Sequence, residues 1–168
     1  MALSVSGLQQ AMMDSTYMLA ISAANSLTPL GNAIANYIVT NAELLFSWSD
    51  NAPATLPATG NIITCTITLT PSFAGVPVNG LVWLATEIVA GIRLGTINIT
   101  QGGWSTTPAI MSDCPDFTLT IDGTLSRDNA YDQIATQIVS QITAYHPGIP
   151  VTGNRGSYSG ATTFCTIS

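Results

Sequence analysis

The carboxylates are the side chains of this sequence best suited to acid and base chemistry. Asp113 and Asp116 flank a Cys-Pro corner, and Asp128 and Asp132 lie where a helix is predicted to begin. Two carboxylates at a suitable separation could form the acid and base of a glycosidase. Turns favour Asp, however, and negative charge is stabilising in the first turn of a helix. We therefore expect structural roles for these residues and no catalytic pair.

A serine or cysteine nucleophile would need a base, and His146 is the only histidine in the chain. His146 precedes Pro147-Gly148 at the predicted end of a helix, where an imidazole favourably meets exposed carbonyls. The sequence contains no Gly-x-Ser-x-Gly elbow, and its Gly-rich stretches lack the Lys and the spacing of a phosphate-binding loop. These patterns predict a protein that is not an enzyme and binds no cofactor.

Cys65, Cys114 and Cys165 form no closely spaced pair. A zinc site would need neighbouring Cys or His ligands, so we expect no metal site. Cys65 and Cys165 occupy equivalent places in two of the repeated units described below, where the other unit has Leu119. A position that accepts either residue type behaves as a small apolar core site.

Charge is scarce in this chain. Charged residues make up 7% of it, Lys is absent, and the formal net charge is −6. Nucleic acids and anionic membranes attract proteins through Lys and Arg, so the composition excludes both as expected partners. No apolar run approaches the roughly 20 residues that span a bilayer, and the N-terminus lacks the pattern of a secretory signal. We expect a protein made inside the cell.

The apolar content of 46% nevertheless indicates a folded chain. Its surface must then consist largely of Thr, Ser, Asn, Gln, Ala and Gly. Such a surface lacks the strongly hydrated ammonium groups that are depleted in the centres of protein interfaces. The composition therefore predicts an exterior that contacts other subunits, either in a homo-oligomer or on a repetitive scaffold.

Three near-identical phrases recur at intervals of 50 residues: Ile34–Val39, Leu84–Val89 and Ile134–Val139. A fixed period indicates a duplicated supersecondary unit. In the third copy the apolar residues recur with helical spacing, while Thr136, Gln137, Ser140 and Gln141 are assigned to the opposite, polar side. Predicted helix starts are Thr28-Pro29, Asn79, and Ser126 or Asp128.

Each predicted helix is followed by an extended segment, a loop and an alternating strand. The clearest strands run from Ile63 to Thr70 and from Phe117 to Asp122, with apolar residues at every second position. The predicted fold is α+β, with three quasi-repeated helix-strand-strand units and an additional N-terminal helix of residues 8–25. The predicted organisation is an N-terminal arm (1–27) and a single α+β domain (28–168) with repeats 28–71, 79–123 and 128–168.

Three loops, Asp50–Gly60, Gln101–Pro115 and Thr152–Gly160, are predicted to lie on one side, because repeats place equivalent loops together. Large side chains in these polar loops are candidate anchors for a partner, as Tyr and Trp are at many interfaces. The N-terminal helix either caps the core or reaches a neighbouring subunit, and its Met residues suit adaptable contacts. The candidate contact residues are Trp104, Tyr158, Leu56, Met12 and Met18.

In these features the chain resembles bacteriophage virion structural proteins, especially small head decoration or cement proteins. The likeness is carried by the Thr64–Thr70 strand, the Asp50–Gly60 loop with its prolines, and the [Ile/Leu]-Ala-x-x-Ile-Val helices. It rests on no diagnostic motif, so no functional residue is transferred. It implies a protein made in the host cytoplasm and incorporated in the virion, where it clamps capsid subunits and stabilises their lattice.

Two alternatives remain open. The same traits suit a phage tail, neck or baseplate component. A carbohydrate- or surface-binding module would instead use Trp104 and Tyr158 to stack on sugar rings. The variant Trp104→Ala separates these roles, because loss of glycan binding with intact assembly would favour the carbohydrate module.

Overall fold

The structure is a computed structural model of the 168-residue chain. It describes residues 2–17, 23–49, 55–64, 80–99, 104–105, 109–146, 148–153, 161–164 and 166–168. Side chains are described over residues 2–15, 28–44, 81–96, 111–146 and 166–168. The helices within these ranges are α1 (Val5–Tyr17), α2 (Ala23–Asn41), α3 (Gly80–Arg93) and α4 (Arg127–Ala144).

The three repeated phrases lie on α2, α3 and α4, which confirms their prediction as helices. The first, second and fifth positions of each phrase are buried in all three helices, whereas the third position is exposed. This spacing places one apolar stripe on each helix and turns it toward a common core. The exposed third positions are Asn36, Thr86 and Thr136.

Local signals account for the ends of α4. Ser126 is its N-cap, and the Ser126 side chain accepts a hydrogen bond from the Asn129 amide at 3.4 Å. Asp128 lies in the first turn, where the helix dipole favours negative charge. Tyr145 caps the C-terminus, and its amide donates to the Ile142 carbonyl at 3.1 Å. The predicted start at Ser126 is therefore confirmed.

Helix α1 lies against both α2 and α4. Leu8 and Met12 on its inner face are fully buried in the core. At its start Ser4 bonds the Tyr37 hydroxyl of α2, which accepts from the Ser4 amide at 3.0 Å. On the other side Gln9 donates through Nε2 to the Asp128 carbonyl at 3.0 Å. The N-terminal helix thus caps the core and joins two of the repeated helices.

The described strands are β1 (Glu43–Ser49), β2 (Thr55–Thr64), β3 (Thr96–Ile99), β4 (Trp104–Ser105), β5 (Ala109–Ile110), β6 (Gly148–Gly153), β7 (Ala161–Phe164) and β8 (Thr166–Ile167). One sheet has the order β5-β3-β2-β1-β8, and the other has the order β4-β6-β7. All pairings are antiparallel. The longest is the β1/β2 ribbon, which runs in continuous register from Glu43↔Asn61 to Ser49↔Thr55.

The predicted fold of three helix-strand-strand units is wrong. More of the described residues lie in helices than in strands, and the only long strand pairing among them is the β1/β2 ribbon. The second unit fails most clearly, because Phe117–Asp122 forms no strand. Residues 117–122 instead lie along α4 and bond its side chains. Two of the three alternating apolar residues, Phe117 and Leu119, are buried as predicted, whereas Ile121 is exposed. The hydrogen-bonding partner of the segment is a helix and not a sheet.

The predicted helix start at Thr28-Pro29 is also wrong. Helix α2 begins at Ala23, and Pro29 lies inside it. Pro29 cannot donate the backbone hydrogen bond that would reach the Asn25 carbonyl, yet the helix continues through this position. The predicted N-terminal helix of residues 8–25 instead runs from Val5 to Tyr17 as α1. The predicted cap Asn79 lies outside the described residues.

The predicted loop Asp50–Gly60 is largely strand, because β2 begins at Thr55. The predicted strand from Ile63 to Thr70 overlaps β2 only at its first two residues, and the remainder lies outside the described ranges. Pro57 stands within β2 opposite Ser47. Sequence alternation therefore located a strand here, but β2 begins at Thr55, before the predicted start at Ile63.

Candidate functional site

The segment of residues 117–122, here called the strap, lies along α4 and is held by three glutamine side chains. Gln133, Gln137 and Gln141 occupy successive i, i+4 positions on α4. Their amide groups bond the backbone of every second strap residue, namely Asp122, Thr120 and Thr118. The bonds are Thr118 N to Gln141 Oε1 at 2.7 Å, Gln141 Nε2 to Thr118 O at 2.9 Å, Thr120 N to Gln137 Oε1 at 2.8 Å, Gln137 Nε2 to Thr120 O at 2.7 Å, and Asp122 N to Gln133 Oε1 at 2.9 Å.

We call Gln133, Gln137 and Gln141 the glutamine ladder, because their primary amides replace the peptide groups of a neighbouring strand. A carboxamide offers the same donor and acceptor as a peptide unit. Four residues of helix rise about 6.0 Å, and two residues of extended chain rise about 6.6 Å. These two spacings are similar enough that three successive Gln side chains can each bond a strap residue. An extended chain can therefore satisfy its backbone on the surface of a helix.

The ladder amides also bond their own helix. Gln137 Nε2 donates to the Gln133 carbonyl at 3.0 Å, and Gln141 Nε2 donates to the Gln137 carbonyl at 3.0 Å. Each amide nitrogen thus bridges one helix carbonyl and one strap carbonyl. The bonds to the helix restrict the side-chain rotamers of Gln137 and Gln141, and a restricted side chain loses less entropy when it binds a second group.

The strap alternates between buried and exposed residues. Phe117 and Leu119 are buried among the core residues, while Thr118 and Thr120 are exposed. The third apolar residue of the alternation, Ile121, is 40% exposed. The strap therefore has two apolar anchors and a backbone that is held by the ladder.

Hydrogen bonds fix the chain on both sides of the strap. Arg93 of α3 donates through Nε to the Cys114 carbonyl at 2.8 Å and pairs with Asp116 at 3.0 Å. At the far end Asp122 accepts from the amide and the hydroxyl of Thr124, at 2.9 and 2.7 Å. Both bonds lower the pKa of the Asp122 carboxyl below its usual 3.8, and the bond from the backbone amide has the larger effect.

Cys114 lies buried just before the strap as a free thiol. Burial raises the pKa of Cys114 to about 11, although Arg93 opposes the shift. Nearby, the Tyr145 hydroxyl donates a short hydrogen bond to Asp113. A thiol with such a pKa stays protonated near neutrality, so Cys114 has the properties of a core residue and not of a nucleophile.

A groove of about 520 Å³ opens where the strap ends on α4. Leu125 gives it an apolar wall. Its other lining residues are polar: Thr120, Asn129, Asp132, Gln133, Thr136 and Gln137. Amide, hydroxyl and carboxylate groups beside one aliphatic side chain could bind a neutral ligand rich in hydroxyl groups.

The outer faces of two helices carry almost no charge. Helix α2 contains no Asp, Glu, Lys, Arg or His over its whole length. Its exposed side chains recur at every fourth residue as Thr28, Asn32, Asn36 and Thr40. This spacing aligns them in one stripe of neutral, polar groups along the helix.

The corresponding stripe on α3 is more apolar. Val82 is 62% exposed, and Leu94, just after the helix, is 77% exposed. Between them, the Thr86 hydroxyl donates to the Val82 carbonyl at 2.8 Å. Because this hydroxyl is already bonded within the helix, it adds little polarity to the stripe.

The charged residues of the described chain concentrate elsewhere. Asp113, Asp116 and Asp122 lie on or beside the strap, while Arg127, Asp128 and Asp132 lie at the start of α4. Arg127 pairs with Asp128 at 3.4 Å. Helix α2 thus carries none of this charge, whereas α3 contributes Arg93, which pairs with Asp116 beside the strap.

The candidate contact residues lie in different environments. Met12 is fully buried, so its prediction as a surface contact is wrong: it packs into the core between helices. Leu56 lies in β2 opposite Trp48, and Trp104 lies in β4 opposite Gly153. Met18 and Tyr158 fall outside the described residues.

Part of the second and third predicted loops does come together. Trp104 and Ser105 pair with Gly153 and Thr152 in the β4/β6 ladder. Over the residues described, no cluster of three or more His, Cys, Asp or Glu side chains is arranged to hold a metal ion. Within the same residues, no helix has the length and apolar character needed to cross a membrane.

Sequence reasoning missed the glutamine ladder. It assigned Gln137 and Gln141 to the polar side of α4, but both are half-buried against the strap. The available signal was the combination of Gln at i, i+4 and i+8 with an alternating segment shortly before the helix.

Comparisons with protein-family models, with curated proteins and with solved structures found no match.

Proposed function

We propose that this protein is a structural component of a bacteriophage virion, namely a capsid decoration or cement protein that stabilises a subunit lattice. In this role it acts by protein–protein contact and catalyses no reaction. It binds other virion subunits, is itself a homo-oligomer, and contacts neither nucleic acid nor membrane.

The observation that carries the proposal is the uncharged outer face of α2. Placing an ion in a protein interface requires its desolvation, which costs several kcal/mol unless a partner compensates. Thr and Asn cost less to desolvate and can be satisfied by neutral hydrogen-bonding groups. A face of Thr28, Asn32, Asn36 and Thr40 therefore suits burial against another subunit.

The neighbouring face of α3 supports the same role. Val82 and Leu94 are exposed apolar side chains, and removing their apolar surface from water against another subunit is favourable. A protein that binds only the assembled lattice stabilises it by mass action, since each occupied site shifts the equilibrium toward assembly. Such a role needs complementary surfaces and no reactive group.

The direct test is the location of the protein in its organism of origin. Phage particles induced from that host would be purified by density gradient and probed with an antibody against the full chain. We expect the chain in the particle fraction, at a fixed ratio to the major capsid subunit. Its absence from purified particles, together with its presence in the soluble fraction, would overturn the proposal.

The three repeated helices provide matched variants for mapping the contact. Asn36→Lys, Thr86→Lys and Thr136→Lys each add one charge at the same exposed position of the repeated phrase. We expect the α2 and α3 variants to lower occupancy of the particles at least tenfold. The α4 variant is the control, because it adds Lys next to the acidic start of that helix. Equal occupancy for all three variants would contradict the assigned faces.

The groove beside the strap favours a second candidate function, the binding of a carbohydrate. Asn129, Asp132 and Thr136 offer amide, carboxylate and hydroxyl groups beside the apolar surface that makes up most of the lining, a combination that suits the hydroxyl groups and the aliphatic ring of a sugar. A glycan array with the wild-type chain and an Asp132→Ala variant tests this function. We expect any specific glycan signal to fall in the variant; an array without signal for the wild-type chain excludes this candidate.

A further inference from the structure

We propose that the glutamine ladder is a binding site for an extended peptide segment, which the chain's own strap fills in cis and the strap of a second copy fills in trans. The groups that bind the peptide backbone all lie on α4, and the apolar side chains are received by the core of the same chain. The site therefore stands independently of the proposed virion role.

The first support is that the ladder contacts mainly backbone atoms. Gln137 and Gln141 each donate to and accept from one strap residue, and Gln133 accepts from the Asp122 amide. The single side-chain contact among these rungs is Thr120 Oγ1 to Gln137 Oε1 at 3.1 Å. Recognition by main-chain hydrogen bonds with pockets for alternate side chains is the mode by which sheet edges bind peptides.

The second support is the source of selectivity. Phe117 and Leu119 are 7% and 5% exposed, so the site also requires apolar residues at two alternate positions. Thr118 and Thr120 point away from the core and are exposed. The matching ligand is therefore an extended segment with apolar residues two apart. Every copy of this chain contains a segment of this kind that already fits a ladder, namely the strap itself.

The third support is that the strap belongs to no helix or sheet. Residues 117–122 have no helical or strand hydrogen bonding, and a turn follows directly at Gly123-Thr124. Release of the strap breaks the ladder bonds and uncovers two apolar side chains, but it breaks no bond within a helix or a sheet. Exchange of one element between identical chains is a low-cost route to a dimer.

The primary test uses a fluorescent synthetic peptide of residues 115–124 and the full-length chain. In the wild-type chain the strap competes at the high effective concentration of a tethered ligand. The variant Leu119→Ser weakens this competitor and leaves the ladder intact. We expect the variant to bind the peptide saturably, and at least tenfold more tightly than the wild-type chain does.

Two controls separate ladder binding from adhesion to exposed apolar surface. Gln137→Ala in the Leu119→Ser background should weaken peptide binding at least tenfold. A peptide N-methylated at Thr120 keeps every side chain, including the Thr120 hydroxyl, but lacks the backbone N–H that donates to Gln137 Oε1, so it should bind at least tenfold more weakly. Equal binding of the methylated peptide, or no binding to a folded Leu119→Ser chain, would overturn the proposal.

Binding in trans has its own test by complementation. A Gln137→Ala chain has an intact strap and a broken ladder, whereas a Leu119→Ser chain has the reverse. Energy transfer between labelled copies should rise when the two variants are mixed, above the level of either variant alone. If energy transfer does not rise on mixing, the ladder of one copy does not bind the strap of another, and that part of the proposal is wrong.

Hydrogen exchange on the wild-type chain keeps the proposal testable if Leu119→Ser does not fold. The amides of Thr118, Thr120 and Asp122 should exchange together and faster than that of Ile138 in the core of α4. If these three amides are protected as strongly as Ile138, the strap opens only with the whole protein and cannot be replaced.

Discussion

Gln137 forms a closed pair of hydrogen bonds with the backbone of Thr120: Oε1 accepts from the amide at 2.8 Å, and Nε2 donates to the carbonyl at 2.7 Å. The same geometry recurs between Gln141 and Thr118. A side chain on a helix thus forms the hydrogen bonds that a neighbouring strand would form in a sheet. This relationship explains how an alternating segment is stabilised without a strand partner.

The ladder predicts a graded set of stability changes. Gln137→Ala and Gln141→Ala each leave the amide and the carbonyl of one strap residue without a protein partner, so each should lower the free energy of unfolding by about 1–3 kcal/mol. Gln133→Ala removes one hydrogen bond to the strap and should lower the free energy of unfolding by about 0.5–1.5 kcal/mol. Urea titrations of the three variants measure these values.

The control for this set is Gln10→Ala on α1. Gln10 bonds only Asp14 of its own helix, and both are exposed, so we expect a change within about 0.5 kcal/mol. If Gln137→Ala were no more destabilising than Gln10→Ala, the ladder would contribute nothing measurable to stability.

The Asp122 carboxylate should stabilise the native state by an amount that depends on pH. Its pKa is lowered in the native state by bonds from the amide and the hydroxyl of Thr124, so the unfolded chain binds the proton more readily. The contribution is therefore present above the unfolded pKa of 3.8 and is lost as the pH falls through the lowered native pKa. Urea unfolding at acid pH should show a smaller decline for Asp122→Asn than for the wild-type chain. Parallel declines would contradict this role.

Cys114 should be protected from alkylation. Burial raises its pKa from 9.0 to about 11, a difference of two units, so the thiolate fraction near pH 8 is about 100-fold lower than in an unfolded thiol. A thiolate of higher pKa is the better nucleophile, which partly offsets the lower thiolate fraction. We therefore expect iodoacetamide to modify Cys114 at least tenfold more slowly in the native chain than in denaturant, as measured by peptide mass mapping. Similar rates in the two states would show that this part of the core is open.

Gly7 is required by the contact between α1 and α2. A Cβ atom at Gly7 would overlap the hydroxyl and ring of Tyr37 and the hydroxyl of Ser4. We expect Gly7→Ala to lower the free energy of unfolding by about 1–3 kcal/mol, even though Ala favours the helix itself. Ser6→Ala is the matched control on the same helix, because Ser6 is exposed. A thermal melt in which Gly7→Ala is the more stable variant would contradict this packing.

The sequence was sufficient to predict the repeated helices. Each phrase carries apolar residues at helical spacing, and in each the predicted stripe is buried. Ser126 was recognised as a helix start because its side chain can accept from the first free amides. Helical spacing is contained in a few neighbouring residues, so the apolar stripes were predicted correctly. Capping chemistry was less decisive, because it predicted the start of α4 but also predicted a start at Thr28-Pro29, which lies inside α2.

The pairing of extended segments could not be predicted in the same way. Alternation at Phe117, Leu119 and Ile121 reveals a buried face but does not specify the group that satisfies the backbone. A strand and a row of Gln side chains offer equivalent donors and acceptors. Met12 illustrates the same difficulty for the candidate site, because its burial depends on how α1 packs against two distant helices.

The composition of α2 determines how any contact through its outer face would respond to solution conditions. The side chains of that face, Thr28, Asn32, Asn36 and Thr40, are not ionisable. Binding there would release no counterions and take up no protons from the helix itself. Its strength would consequently stay nearly constant across changes of salt and acidity that weaken an interface built from ion pairs.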